Sequence, residues 1–170
     1  MFGVTFSQDG SELLTYSGWT MQRWQVATGQ LESTFEMPAF EEGGINTAIF
    51  SPDNQTIISR HDSAIRLWDT ASGKPIKTLT KFTGYIEPTF FTPDGTSLIA
   101  YDSGFYIADG NGGYHLDRQH HSEIRVWNVK TWQQTALMRG HTAMLNSVEL
   151  SPDGATLVST GAFQLIAARE

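Results

Sequence analysis

A short turn phrase recurs four times along this chain and constrains its fold more than any other feature. The copies read Phe6-Ser7-Gln8-Asp9-Gly10, Phe50-Ser51-Pro52-Asp53-Asn54, Phe91-Thr92-Pro93-Asp94-Gly95 and Leu150-Ser151-Pro152-Asp153-Gly154. In each copy an apolar strand end precedes residues that favour a turn, because Ser and Asp bind nearby backbone, Pro fixes φ and Gly or Asn tolerates positive φ. Copies about 40 residues apart indicate one supersecondary unit repeated in tandem.

The spacing within the repeat locates an insertion in the third unit. The turn hydroxyls recur at intervals of 44, 41 and 59 residues. Trp24 and Trp68 each follow their turn hydroxyl by 17 residues, whereas Trp127 follows its own by 35. Both comparisons place about 18 extra residues in the third unit. The sequence therefore predicts one domain, 1–170, with units 1–44, 45–85, 86–144 (insertion 103–120) and 145–170, the last incomplete.

The segments between the turns are typical of short strands. They mix β-branched and aromatic residues between turn signals, as in Ile65-Arg66-Leu67-Trp68 and Ile124-Arg125-Val126-Trp127. No segment keeps a helical apolar period over three turns. We therefore expect an all-β fold with four strands per unit, called a to d. The recurring phrase forms the a–b turn, and the Trp closes strand c.

These repeats resemble the WD-repeat (WD40) family of β-propellers. The likeness is carried by Ile65-Arg66-Leu67-Trp68-Asp69, Ile124-Arg125-Val126-Trp127-Asn128, the weaker Met21-Gln22-Arg23-Trp24-Gln25, and Gly140-His141 ahead of the fourth unit. It covers essentially the whole chain and implies four-stranded antiparallel blades in a propeller arc of about four, three complete and the fourth truncated. Three arrangements stay open: a piece of a longer propeller, which we favour, closure with a second copy, or a strained four-blade ring.

The resemblance also implies a buried polar network in each blade. In the family it joins a His before strand a, a Ser or Thr on strand b, an Asp in the b–c turn and the Trp on strand c. The residues that match are Ser59, Asp62, Trp68, Trp24, Trp127, His141 and Ser159. Glu41 stands where unit two would have its His, and Ala100 replaces the hydroxyl of unit three. Because no unit has the full set, we expect looser blades than the family average, and we expect His61 to face solvent.

The insertion is the most distinctive local feature. Its aromatic-rich arms, Phe105–Ala108 and Tyr114–Asp117, flank a turn rich in Gly, Asn and Asp, which predicts a β-hairpin that extends strands b and c. Both a tolerated surface insertion and a finger that contacts a partner fit this pattern. The candidate partner contacts are Phe105, Tyr106, Tyr114, the loop acids Glu41 and Glu42, and the turn residue Trp132.

No residue pattern predicts catalysis, a cofactor or a metal site. Asp109-x-Asn111-x-Gly113 is similar to the start of a calcium loop, but His120 stands at the twelfth position, where a carboxylate is needed. His120 and His121 are adjacent and would point apart on a strand, which disfavours a zinc site. The chain has no Cys, no Gly-x-Ser-x-Gly and no phosphate-binding Gly loop. We expect no enzyme activity, no cofactor and no metal.

The charge balance bounds the partners. With 11 Lys and Arg against 18 Asp and Glu, the net charge is −7, which disfavours binding to nucleic acid or to an anionic membrane. The sequence shows no signal peptide and no apolar run long enough to span a bilayer, so a cytoplasmic protein is expected.

By resemblance, the function is a non-catalytic scaffold for protein partners that the sequence does not identify. Self-association through open propeller edges is a further expectation, because unpaired strand edges invite pairing with another chain. The alternative is a fragment or a sensor or regulatory module of a larger multidomain protein, for example beside a kinase or nucleotide-hydrolysing domain.

Overall fold

The computed structural model describes residues 2–37, 44–61, 64–79, 86, 90–102, 106–108, 114–116, 122–141, 144–161 and 164–169. Within these ranges the regular secondary structure consists of strands, which confirms the all-β prediction. The chain divides into two compact units, Met1–Lys81 and Phe82–Glu170, each with two blades. The single domain and the repeat boundaries stay predictions.

The first unit contains two four-stranded antiparallel sheets, called blades 1 and 2. Blade 1 consists of β1 (Phe2–Phe6), β2 (Glu12–Ser17), β3 (Thr20–Gln25) and β4 (Leu31–Glu36). Blade 2 consists of β5 (Thr47–Phe50), β6 (Thr56–His61), β7 (Ala64–Asp69) and β8 (Pro75–Leu79). In both blades the strands neighbour one another in chain order, and the Trp lies near the end of the third strand, as predicted.

The second unit contains blades 3 and 4. Blade 3 consists of β9 (Phe90–Phe91), β10 (Ser97–Tyr101), β13 (Glu123–Asn128) and β14 (Gln134–Arg139). Between its second and third strands, β11 (Tyr106–Ala108) and β12 (Tyr114–Leu116) form a two-stranded sheet. Blade 4 consists of β15 (Leu145–Leu150), β16 (Thr156–Gly161) and β17 (Gln164–Arg169). Three four-stranded blades and a three-stranded fourth agree with the predicted blade count.

The recurring phrase builds the same turn in all four blades. Its Ser or Thr hydroxyl donates to the Asp carboxylate, with O···O distances of 2.7, 2.6, 2.6 and 2.5 Å in blades 1 to 4. The same hydroxyl accepts the backbone N–H five residues later at 2.9 to 3.0 Å. The residue after the Asp has a φ between 57° and 75° in each copy: Gly10, Asn54, Gly95 and Gly154. The predicted turn chemistry is confirmed, and these turns serve the scaffold.

The core of the first unit lies between its two blades. Blade 1 contributes Leu14, Met21 and Phe35, and blade 2 contributes Ala48, Phe50, Ile57 and Trp68. The rings of Phe35 and Trp68 meet edge to face, with centroids 6.3 Å apart and planes at 84°. Such an aromatic pair contributes about 0.5–1.5 kcal/mol beyond the area it buries.

The second unit repeats this packing with other residues. Equivalent positions are counted from the turn hydroxyl for strands a and b, and from the Trp for strands c and d. By this count Ile99, Ile124 and Met138 of blade 3 match Leu14, Met21 and Phe35 of blade 1. They pack with Leu145, Val148, Leu150 and Leu157 of blade 4. In both units, the side of the earlier blade that carries Leu14 or Ile99 therefore packs against the opposite side of the following blade.

Candidate interaction surfaces and buried polar networks

Blade 2 holds a buried network centred on Ser59. Trp68 Nε1 donates to Ser59 Oγ at 2.8 Å, and His61 Nε2 lies 2.9 Å from the same oxygen. Ser59 is 0% exposed, and both rings are 2% exposed. One serine hydroxyl offers one donor and two acceptor sites, so it can bind both rings at once. Asp62, the other predicted member, lies outside the described residues.

The expectation that His61 faces solvent is wrong. β6 continues through His61, which pairs with Ala64 across the hairpin. Because alternate residues of a strand point to one face, His61 lies on the same side of β6 as Ser59. The resemblance places the imidazole of this network before strand a, but the sequence has Glu41 there. In blade 2 the imidazole comes instead from His61 on strand b. Glu41 lies outside the described residues.

Blade 4 builds the same contact from a different part of the chain. His141 precedes β15, and its Nε2 lies 2.8 Å from Ser159 Oγ. The two residues are 4% and 3% exposed, and burial lowers the pKa of His141. Gly161 holds the position equivalent to His61, and a Cβ there would lie 2.7 Å from His141 Nδ1 and 2.8 Å from the Met144 carbonyl oxygen. The His141 ring thus occupies space that a side chain at position 161 would need.

Blades 1 and 3 vary the network further. In blade 1, Trp24 Nε1 donates to Thr15 Oγ1 at 3.0 Å. In blade 3, Trp127 is 2% exposed, although Ala100 provides no hydroxyl on strand b. Blade 3 places Asp102 at the position of His61, 0% exposed, where its Oδ1 accepts the Glu123 N–H at 3.3 Å.

The insertion forms a hairpin whose strands pair antiparallel, with Tyr106 opposite Leu116 and Ala108 opposite Tyr114. Within the described residues this hairpin is a two-stranded sheet. The residues that connect it to β10 and β13 lie outside the described ones, so the extension of strands b and c stays a prediction. In this hairpin β11 pairs with β12.

Three predicted partner contacts lie outside the described residues: Phe105, Glu41 and Glu42. Tyr106 and Tyr114 are placed on β11 and β12 by their backbones. Their roles as partner contacts stay predictions, as does that of Trp132.

Trp132 occupies the c–d turn of blade 3 with a φ of 52°. Gly29 and Gly73 hold the equivalent position in blades 1 and 2, each with a φ of 69°. In all three turns the N–H of this residue donates to the carbonyl four residues earlier, at 2.8 to 2.9 Å. A bulky side chain in the left-handed region costs about 1–2 kcal/mol relative to glycine. Trp132 therefore adopts a conformation that favours glycine while it places a large indole at the turn.

The repeat geometry agrees with the comparison of this sequence with protein families. The family described as WD domain, G-beta repeat matches residues 29–69 and 132–162. This chain belongs to the WD-repeat family. The matched ranges include strand c of blade 2 with Trp68, and the His141–Ser159 pair of blade 4.

Curated relatives of this WD-repeat chain are longer proteins. Nuclear distribution protein PAC1 of Arthroderma otae is 27% identical over 145 residues, 84% of this chain and 29% of that protein. Periodic tryptophan protein 2 of Arabidopsis thaliana is 32% identical over 152 residues, 88% of this chain and 15% of that protein. Protein MAK11 of Saccharomyces cerevisiae is 28% identical over 99 residues, 58% of this chain and 23% of that protein. The WD-repeat chain spans less than a third of each.

A charge cluster joins strands c and d of blade 3. Arg125 Nε and Arg139 Nε donate to the Glu123 carboxylate at 3.1 and 2.7 Å. Burial opposes ionisation of Glu123, but the hydrogen bonds from the two arginines outweigh it and lower the pKa of this carboxyl. The cluster ties the two strands together and neutralises a carboxylate that is 9% exposed.

Across the described residues no three His, Asp or Glu side chains cluster closely enough to hold a metal ion. Nor does that part of the chain contain a helix long and apolar enough to cross a bilayer.

Proposed function

We propose that this WD-repeat chain is a protein-interaction scaffold without catalytic activity. The observation that carries the proposal is the burial of its Ser–His pairs. Ser59 with His61 and Ser159 with His141 have the 2.9 and 2.8 Å spacing of a nucleophile and its base. All four residues are 4% exposed or less, so a substrate could not reach the hydroxyl. These pairs stabilise blades.

The WD-repeat relatives support a protein-interaction scaffold, although a fold alone does not fix a function. We propose that the partner is a protein, because a net charge of −7 is unfavourable for binding to nucleic acid or to anionic membranes. The proposed location is the cytoplasm. The acidic residues Glu41 and Glu42 would steer a basic partner.

We propose two contact regions at opposite ends of β13, the insertion hairpin that precedes this strand and Trp132 in the turn that follows it. The hairpin offers Phe105, Tyr106 and Tyr114. Trp132 keeps an indole where blades 1 and 2 have glycine, and its backbone stays in the left-handed region. Aromatic side chains of this kind dominate binding energy at protein interfaces. Retention of a strained Trp at a turn is expected if the ring binds a partner.

Trp132→Gly tests this surface, because glycine removes the indole and relieves the left-handed φ. Trp132 is half-buried, so we expect the lost packing and the relieved φ to offset one another and the free energy of unfolding to change by less than about 1 kcal/mol. Proteins captured from a lysate, quantified by mass spectrometry, should fall in yield with this variant and with deletion of 104–119. Leu137→Ser is the matched control, since Leu137 is a 37% exposed apolar residue on β14 of the same blade. Capture that is unchanged in both test variants would contradict the proposal.

The absence of catalysis is tested with a broad panel of hydrolase substrates. We expect no turnover above that of a heat-unfolded sample. Turnover that disappears in His61→Gln or His141→Gln, while the variant stays folded by circular dichroism, would overturn the scaffold proposal.

A further inference from the structure

A cavity of about 370 Å³ lies between blades 3 and 4, within the second unit. Its volume falls in the range of ligand sites in proteins. Both blades supply apolar walls, and both a–b turns supply polar groups. The lining includes Ile99, Val126 and Ala136 of blade 3, Leu157 of blade 4, and the turn acids Asp94 and Asp153. We call this space the interblade cavity.

The first unit has a charged cluster at the equivalent place in blade 1. Arg23 forms salt bridges with Glu12 and, at 3.0 Å, with Glu32. Its Nε also donates to Ser33 Oγ at 3.1 Å. The side chains of Arg23 and Glu12 are only 14% and 17% exposed. In the first unit, an arginine of the chain itself therefore fills this layer.

Three lining residues of the interblade cavity replace members of that cluster. By the count used above, Val126 replaces Arg23, Ser97 replaces Glu12, and Ala136 replaces Ser33. Leu14 pairs with Arg23 as Ile99 pairs with Val126. Because paired residues share one side of a sheet, both positions face the following blade. Each replacement is smaller and uncharged, so the cavity arises from the residues of blade 3 itself.

The a–b turns beside the cavity are also joined differently. In the first unit, the Gln8 N–H of blade 1 donates to Asn54 Oδ1 of blade 2 at 3.3 Å. Pro93 and Gly154 hold these two positions in the second unit. A Cβ on Gly154 would lie 3.8 Å from Pro93 Cδ, so the turns still meet. This pair cannot form the hydrogen bond, because proline has no N–H and glycine has no side chain.

The turn acids give the cavity a negative charge at neutral pH. The Thr92 hydroxyl lowers the pKa of Asp94, and the Ser151 hydroxyl lowers the pKa of Asp153. Ser151 Oγ and the Ala155 N–H donate to Oδ1 of Asp153 at 2.5 and 3.0 Å. A carboxylate has about four acceptor sites, so these bonds leave it able to bind a cation as well.

We propose that the interblade cavity binds an arginine side chain of a partner protein. The aliphatic part of the arginine packs on Val126 and Leu157, and its guanidinium binds the carboxylates of Asp94 and Asp153. The bound arginine takes the place that Arg23 fills in the first unit. This inference rests on the scaffold proposal for the class of partner, but its site is separate from the hairpin and from the c–d turn of blade 3.

The test titrates the chain with a capped peptide, Ala-Ala-Arg-Ala-Ala, and follows the methyl signals of Ile99, Met138 and Leu157 by NMR. We expect saturable shifts with a dissociation constant of about 1 mM or less. The same peptide with citrulline, which is neutral and close to arginine in shape, should bind at least about tenfold more weakly. No saturable shift up to about 10 mM would overturn the proposal, and so would equal affinity for the two peptides.

Two variants locate the binding site. Val126→Arg with Ser97→Glu rebuilds the blade 1 cluster inside the cavity and should abolish the shifts. Asp153→Asn keeps an oxygen for the turn and should weaken binding at least about fivefold. It decides the question if the double variant does not fold. Asp53→Asn, at the same turn position in blade 2, is the matched control and should bind as the original chain does.

Unchanged binding in Asp153→Asn would overturn the site. Trp132→Gly should bind the arginine peptide normally, because its indole lies outside the cavity lining. If that variant loses lysate capture while the peptide fails to bind the original chain, the cavity inference is wrong and the scaffold proposal stands. If the peptide binds and capture is unchanged, the cavity inference holds and the proposed contact at Trp132 is wrong.

Discussion

Blades 2 and 4 place an imidazole against the same strand-b serine by two different routes. In blade 2 the ring belongs to His61, at the end of the same strand, 2.9 Å from Ser59. In blade 4 it belongs to His141, which precedes strand a and lies 2.8 Å from Ser159. Gly161 leaves open in blade 4 the position that His61 fills in blade 2. In these two blades the space beside the strand-b serine therefore holds an imidazole, whichever of the two positions supplies the ring.

The two blades also differ in what else the serine binds. Ser59 accepts the indole N–H of Trp68, whereas Ala168 holds the register position of that Trp in blade 4. The blade 2 network therefore joins strand b to strand c through side chains.

The largest expected effect is the loss of the hydroxyl in blade 2. Ser59→Ala leaves the buried N–H of Trp68 and the ring of His61 without this partner, and should lower the free energy of unfolding by about 2–4 kcal/mol. Ser159→Ala should cost about 1–2 kcal/mol, since it removes the contact with one ring. Urea unfolding followed by circular dichroism gives both values. Equal losses would show that the indole contact adds nothing.

A methyl group at position 161 tests the space that His141 occupies. Gly161→Ala should cost about 1–3 kcal/mol, because its Cβ would overlap the His141 ring and the Met144 carbonyl. In a His141→Ala background the cost should fall by about 1 kcal/mol, since one of the two overlaps is gone. Ser17→Ala, at the equivalent position of blade 1, is the control and should cost less than about 0.5 kcal/mol. If Gly161→Ala lowered the free energy of unfolding equally in both backgrounds, the His141 ring would not be what limits the space at position 161.

Acid should destabilise blade 4 through His141. Burial lowers the pKa of this residue, so the unfolded chain binds the proton first as the pH falls below about 6.5. Stability is then complete above pH 6.5 and decreases below it, by at most about 1.4 kcal/mol per pH unit, until the folded state is also protonated. His141→Gln should flatten this part of the curve. The turn carboxyl of Asp153, whose pKa is lowered by the Ser151 hydroxyl, acts in a separate window below about pH 4.

An unfolding curve that keeps the same slope between pH 5 and 6.5 after His141→Gln would contradict this assignment. The decrease would then come from another group.

The repeat made much of the fold predictable. Turn chemistry and strand alternation are local, so the Ser–Asp turns and the Trp near the end of strand c follow from spacing. The expectation for His61 is wrong because β6 continues through this residue, although it stands next to the b–c turn in sequence. The signal was present, since His61 stands two residues after Ser59, on the same side of a strand.

Other features depend on packing and could not be predicted. Phe6 and Phe50 occupy the same position in the same phrase, yet they are 61% and 7% exposed. The difference arises from which sheet covers each face, and no local pattern encodes this.

The central claim is that one buried space beside the strand-b serine accepts an imidazole from either of two positions. The most direct test transfers the route of blade 4 into blade 2, because Glu41 stands as far before Ser51 as His141 stands before Ser151. His61→Gly alone should lower the free energy of unfolding by about 2–4 kcal/mol. Adding Glu41→His should restore about half of that loss, whereas adding Glu42→His should not. A double variant no more stable than His61→Gly would contradict the claim.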